Sequence, residues 1–87
     1  MMKKKRLTLI HTSGMMIPVF GDLCCELLPT VEIVHMVDES LLKDIIRDNG
    51  LSKPTARRVV GHILSAEQAG TDFILVTCSS IGPATMG

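Results

Sequence analysis

Aromatic side chains are almost missing from this sequence: there is no tryptophan, no tyrosine and only two phenylalanines. A core must therefore be built from Leu, Ile, Val, Met and Ala, within a hydrophobic content of 46%. Net charge is missing too. Nine basic and nine acidic residues cancel, so composition points to no nucleic acid and no membrane as partner. No apolar run approaches the ~20 residues that span a bilayer. The one basic run, Lys3-Lys4-Lys5-Arg6, precedes an apolar stretch from Leu7 to Ile10 that His11, Thr12 and Ser13 cut short. A secretion signal needs about 7–15 apolar residues, so this segment reads as a solvated amino terminus before a strand. Cysteines number three, two of them adjacent, with neither Cys-x-x-Cys nor His-x-x-x-His spacing. That excludes a disulfide framework, gives no metal signature, and reads as a reduced, cytoplasmic protein.

What is present has a clear period. A chain of 87 residues makes one small domain, residues 1–87, which buries only about 60–65% of the surface its unfolded form exposes. Arg6 to His11 reads as a first strand, with Thr12-Ser13-Gly14 as the loop at its carboxyl end. A helix is expected from about Pro18, which suits a first helical turn, to Leu28, where Pro29 stops it. Val19, Phe20, Leu23, Cys24, Leu27 and Leu28 recur at three and four and form its apolar face. Val31 to Met36 is the second strand, and Asp38 or Ser40 can cap the helix that follows.

That second helix is expected to bury Leu41, Leu42, Ile45 and Ile46, to wet Lys43, Asp44, Arg47 and Asp48, and to stop at Gly50 in a left-handed conformation. A third helix opens at Ser52-Lys53-Pro54. Ala56, Val59, Val60, Ile63, Leu64 and Ala66 form its stripe, and Gly70 ends it. Arg57, Arg58, Glu67 and His62 read as solvated. Phe73 to Val76 is an unbroken β-prone run, the mark of a strand buried on both faces.

The order β-α-β-α-α-β predicts an α/β fold with a three-stranded parallel sheet. With the third strand taken to lie on the far side of the first from the second, the order is 2-1-3 and right-handed crossovers put helices on both faces. In such a sheet ligands bind beyond the carboxyl ends of the strands, at the point where the strand order reverses. That brings His11, Thr12 and Ser13 together with Cys78, Ser79 and Ser80 in one crevice. A thiol at a strand end meets backbone N–H groups and the positive end of any following helix, which favours the nucleophilic thiolate. A free cysteine is also often just a small buried apolar residue. The flanking Ser79, Ser80 and Gly82 favour the chemical reading of Cys78.

At these residues the chain resembles the amino-terminal part of the aspartate/glutamate/hydantoin racemase superfamily. The resemblance is carried by Leu7-Thr8-Leu9-Ile10-His11-Thr12-Ser13, by His35-Met36-Val37-Asp38-Glu39, and by Ser65-Ala66-Glu67-Gln68-Ala69-Gly70 leading into Val76-Thr77-Cys78-Ser79-Ser80-Ile81-Gly82-Pro83. It implies an incomplete flavodoxin-like lobe of an enzyme with two similar lobes, a cleft between them and no cofactor. One cysteine then removes the proton from a substrate Cα and a second returns one from the other face. The resemblance makes Cys78 the first of these, Ser79 and Ser80 the pair that helps hold a substrate carboxylate, and Ser13 the loop position that supports the thiol. Thr12 and Ser13 are expected to bind substrate together with Ser79 and Ser80. His11-Thr12 stands where glutamate racemases carry an acid.

A Cα–H is a very weak acid, so this chemistry needs a thiolate together with donors that neutralise the carboxylate. Cys24 and Cys25 sit in a helix and do not supply the second base. The sequence stops just where a helix would follow the third strand, and it is expected to be a truncated lobe that forms a homo-oligomer. The expected ligand is a small-molecule carboxylate. A one-cysteine decarboxylase, a maleate-isomerase-like relative, or a non-catalytic anion-binding lobe are the alternatives.

Overall fold

The computed structural model describes residues 4–77. In chain order these form β1 (Arg6–His11), α1 (Met16–Leu27), β2 (Glu32–Val37), α2 (Glu39–Arg47), α3 (Lys53–Gln68) and β3 (Phe73–Val76). The three strands make one parallel sheet in the order β2-β1-β3, the order expected. The register sets Leu9 beside His35 on one side and Leu75 on the other, and Ile10 beside Met36 and Val76. Because side chains alternate along a strand, Leu7, Leu9 and His11 face one side of the sheet while Thr8, Ile10 and Thr12 face the other.

Each face carries helices. On the first, Phe20 of α1 lies over His11, with ring centroids 5.8 Å apart, and Gly21 of α1 lies over His35. On the second, Leu41 and Ile45 of α2 and Val59 of α3 form a buried cluster, with Leu51, Ile63 and Val76 packed against it.

Local chemistry accounts for the helix limits. Asp38 accepts the Ser40 N–H at 3.0 Å and caps α2. Ser52 accepts the Thr55 N–H at 3.3 Å, and Pro54 occupies the first turn of α3, where no N–H is needed. α1 begins at Met16, two residues before Pro18, because the first helical N–H groups have no intrahelical partner and Pro18 therefore removes nothing. β2 is shifted by one residue, to Glu32–Val37, fixed by the Glu32 N–H donating to the Lys5 carbonyl at 2.8 Å.

At the end of α2 the left-handed residue is Asn49, at φ 54°, and Gly50 takes a still more positive φ of 149°. Asparagine tolerates that region, so the turn begins one residue before the glycine. Gly70, at φ 87°, ends α3 as expected.

Burial is narrower than the apolar stripes suggest. Only Cys24 is buried on α1, and Ile46, Val60 and Leu64 stand exposed. β3 is not buried on both faces: Phe73 is 59% and Leu75 46% exposed, whereas Ile74 and Val76 turn toward the α2–α3 side. With six elements in the described residues, α1 covers β1 and β2 and leaves its side of β3 open.

Candidate functional site

The carboxyl ends of the strands form a crest. The β1–α1 loop begins there at Thr12, the β2–α2 turn at Asp38, and β3 ends at Val76 with Thr77 beside β1, its N–H donating to the Ile10 carbonyl at 3.0 Å. Thr12 is 4% exposed and Ser13 is half-buried. Ser13 Oγ accepts the Met15 N–H at 3.3 Å, which shapes the loop into the first turn of α1. Both residues line an open notch of about 560 Å³ between that loop and α2, whose opposite wall carries Glu39 and Lys43. By helical spacing Lys43 is a wet residue of α2. The turn at Asp38 swings it toward the β1–α1 loop, which helical spacing alone does not reveal. The other three site residues, Cys78, Ser79 and Ser80, lie outside the described residues.

His11 does not share the notch. It is fully buried, because it is in phase with Leu7 and Leu9 and so points beneath α1, while Thr12 takes the other direction. The Thr77 hydroxyl lies 3.3 Å from the Ile10 carbonyl and is hydrogen-bonded to His11 Nδ1 at 2.7 Å, and His11 Nε2 and His35 Nδ1 share a hydrogen bond at 2.8 Å. Every polar atom of the His11 ring is used. Burial, and then the neighbouring His35, lower its pKa below the usual imidazole value. The result is a neutral ring that clamps the last turn of β3 to β1, one residue before Cys78.

A second polar cluster lies on the α2–α3 side. Arg58 donates to Asp38 at 2.8 Å, to Asp44 at 2.8 Å and to Ser40. His62 Nε2 is 2.8 Å from Asp38 Oδ2. Arg58 and His62 are thus not solvated outer residues of α3. They sit one turn apart on the side that faces the α2 cap. Asp38 receives the Ser40 N–H and hydroxyl on one oxygen and Arg58 and His62 on the other. Burial alone pushes its carboxyl up. The Ser40 hydroxyl, the His62 ring, the Ser40 N–H and the Arg58 charge together outweigh that and bring the pKa down to about 2. A carboxylate so fully occupied is a helix cap and an interhelix tie, not a general base.

Cys24 is buried and Cys25 exposed, both on α1. They lie eight and nine residues beyond Met16, so about 12 Å down the helix from the crest. Neither stands near Thr12. Among the described residues no group of three or more His, Cys, Asp or Glu side chains can hold a metal ion. No described helix is long and apolar enough to cross a membrane. Compared with family models, curated proteins and solved structures, the chain matches none.

Proposed function

We propose that the chain is a lobe of a cofactor-independent, cysteine-dependent isomerase of the racemase type, with Cys78 as the group that exchanges a proton with the Cα of a small carboxylate. One observation carries the reading. The sheet order β2-β1-β3 puts the strand-order reversal at β1, so the Thr12–Ser13 loop and the end of β3 at Thr77 emerge side by side. That is where an open α/β sheet offers a ligand site, and Thr77 is bonded to Cys78.

The chemistry follows from what each group can do. A thiolate at this position takes the Cα proton. The Thr12 and Ser13 loop, Lys43 across the notch, and the hydroxyls of Ser79 and Ser80 hold the carboxylate and stabilise the charge that develops beside it. Lys43 brings a formal positive charge to the notch, beside the opposite charge of Glu39 on the same wall. Proton return on the opposite face needs a second acid, which neither Cys24 nor Cys25 can be from the far half of α1. The reading is therefore of a half-site.

The test is competitive alkylation of the reduced, folded chain, followed by mass spectrometry of the three cysteine peptides. Cys25 is exposed and serves as the internal reference. Cys78 is expected to react fastest, and to keep reacting as pH drops below the free-thiol range of about 8.5. Cys78 and Cys25 labelling at the same rate and with the same pH profile would remove the case for a special thiol.

A further inference from the structure

The α2 wall of the notch is one face of that helix. Its four lining residues, Glu39, Leu42, Lys43 and Ile46, fall at i, i+3, i+4 and i+7. Glu39 opens α2 beside the crest, Lys43 stands one turn on and Ile46 nearly two. Across from this stripe, a Cβ on Gly14 would lie 3.7 Å from Glu39 Oε1, which places that carboxylate against the loop. Ser13 Oγ accepts the Met15 N–H at 3.3 Å, so its own hydrogen is left to donate.

Two properties of this lining point to a ligand class. Glu39 and Lys43 have the i,i+4 order in which such residues commonly pair. Among the described residues, however, neither forms an ion pair with the other or with a third group. The cavity is thus lined by one negative and one positive charge, a helical turn apart. The remainder of its exposed lining is aliphatic: Met15 is 78% and Ile46 69% exposed, with half-buried Leu42 on the same wall. The volume of about 560 Å³ falls in the range of small-molecule sites, roughly 300–1,000 Å³.

We propose that the notch binds the zwitterion of an α-amino acid with an aliphatic side chain, which narrows the substrate of the isomerase reading and rests on that reading for the chemistry at Cα. Lys43 and the Ser13 hydroxyl take the carboxylate, Glu39 takes the ammonium, and the side chain runs along Met15, Leu42 and Ile46. Aspartate or glutamate would set a second carboxylate against aliphatic groups, where the described lining holds no further cation, and its lost hydration would not be returned. A hydantoin or a plain carboxylate brings no ammonium and leaves Glu39 without a partner.

Heteronuclear NMR titration of the reduced full chain tests this with three probes: leucine, glutamate, and isocaproate, which is the leucine skeleton without its ammonium. Leucine is expected to shift the amides of Ser13, Gly14 and Lys43 saturably. It binds about fivefold tighter than glutamate or isocaproate, the effect of one charged contact at an open site. Glu39→Gln weakens leucine by about fivefold and leaves isocaproate unchanged, so that the two bind alike. Lys43→Gln weakens both. Both substituted positions are exposed, and unshifted amides in β1 and β2 verify that each variant is folded. The proposal is overturned if leucine does not bind, if it shifts other amides instead, if glutamate binds as tightly, or if Glu39→Gln keeps the preference for leucine over isocaproate. Glu39-dependent leucine binding with an ordinary Cys78 keeps the amino-acid site and removes the isomerase. A fast-reacting Cys78 without leucine binding keeps the isomerase and removes this substrate.

Discussion

His11 shows how one buried polar ring is held and what it costs. Its ring is neutral in the folded chain because burial and His35 oppose a second proton. In the unfolded chain it titrates at about 6.5. The folded state thus binds fewer protons, so the His11 contribution is fully present above pH ~6.5 and is lost as pH falls from there toward its lowered folded value. Urea unfolding at stepped pH is expected to show stability declining below that point, with a shallower decline in His11→Asn. An unchanged slope in the variant would show that the ring is not the titrating group. Asp38 works in the opposite pH range. Its carboxyl, at about 2 when folded and about 3.9 when unfolded, adds stability above pH ~4 that is lost as pH falls toward 2. The contribution is about 2 kcal/mol. Asp38→Ala also removes a cap and leaves Arg58 with one fewer acceptor, so a loss of about 2 kcal/mol at neutral pH is expected in urea titrations.

At the scale of elements, the second helix side and the third are joined twice, once by aliphatic packing and once by charge. Leu41 is fully buried in the cluster with Ile45 and Val59. Leu41→Ala is expected to cost about 3 kcal/mol in equilibrium unfolding, from lost transfer energy and the cavity left behind. Ile46, five residues on, looks equally apolar in sequence but stands 69% exposed. Ile46→Gln is expected to shift stability by less than about 0.5 kcal/mol. Should these two substitutions cost the same, the assignment of faces on α2 would be wrong. The charged tie is tested by a double-mutant cycle on Asp44 and Arg58, 2.8 Å apart. A half-exposed guanidinium is screened by water, so a coupling of about 0.5–1 kcal/mol is expected.

For the whole molecule, the proposed half-site has a direct consequence. The 87-residue chain is expected to catalyse no measurable Cα racemisation of aspartate, glutamate or a hydantoin, since two-base exchange needs an acid and a base on opposite faces. Deuterium incorporation from solvent and loss of optical rotation are the measurements, and robust turnover by this chain alone would sink the half-site argument. Much of the architecture was legible beforehand. Apolar periods of two and three to four, the proline and glycine stops, and the β-α-β-α-α-β order were enough for a three-stranded parallel sheet with helical crossovers, because each is set by local backbone sterics. The Thr12–Ser13 loop at the crest was legible for the same reason. That β3 pairs with β1 and not with β2 was assumed, and only the tertiary structure decides it. Nor could the sequence decide which apolar and charged residues meet. Ile46, Val60, Leu64, Phe73 and Leu75 carry the same hydrophobic signal as Leu41 and Val59. Only the placement of α1 over β1 and β2, and of α2 against α3, leaves the first group in water. Arg58 and His62 read as solvated until the Asp38 cap lies across from them, and His11 reads as a crevice residue until strand alternation turns it under α1. Local pattern determines which elements form; burial and pairing are properties of neighbours distant in sequence, and only the tertiary structure brings those together.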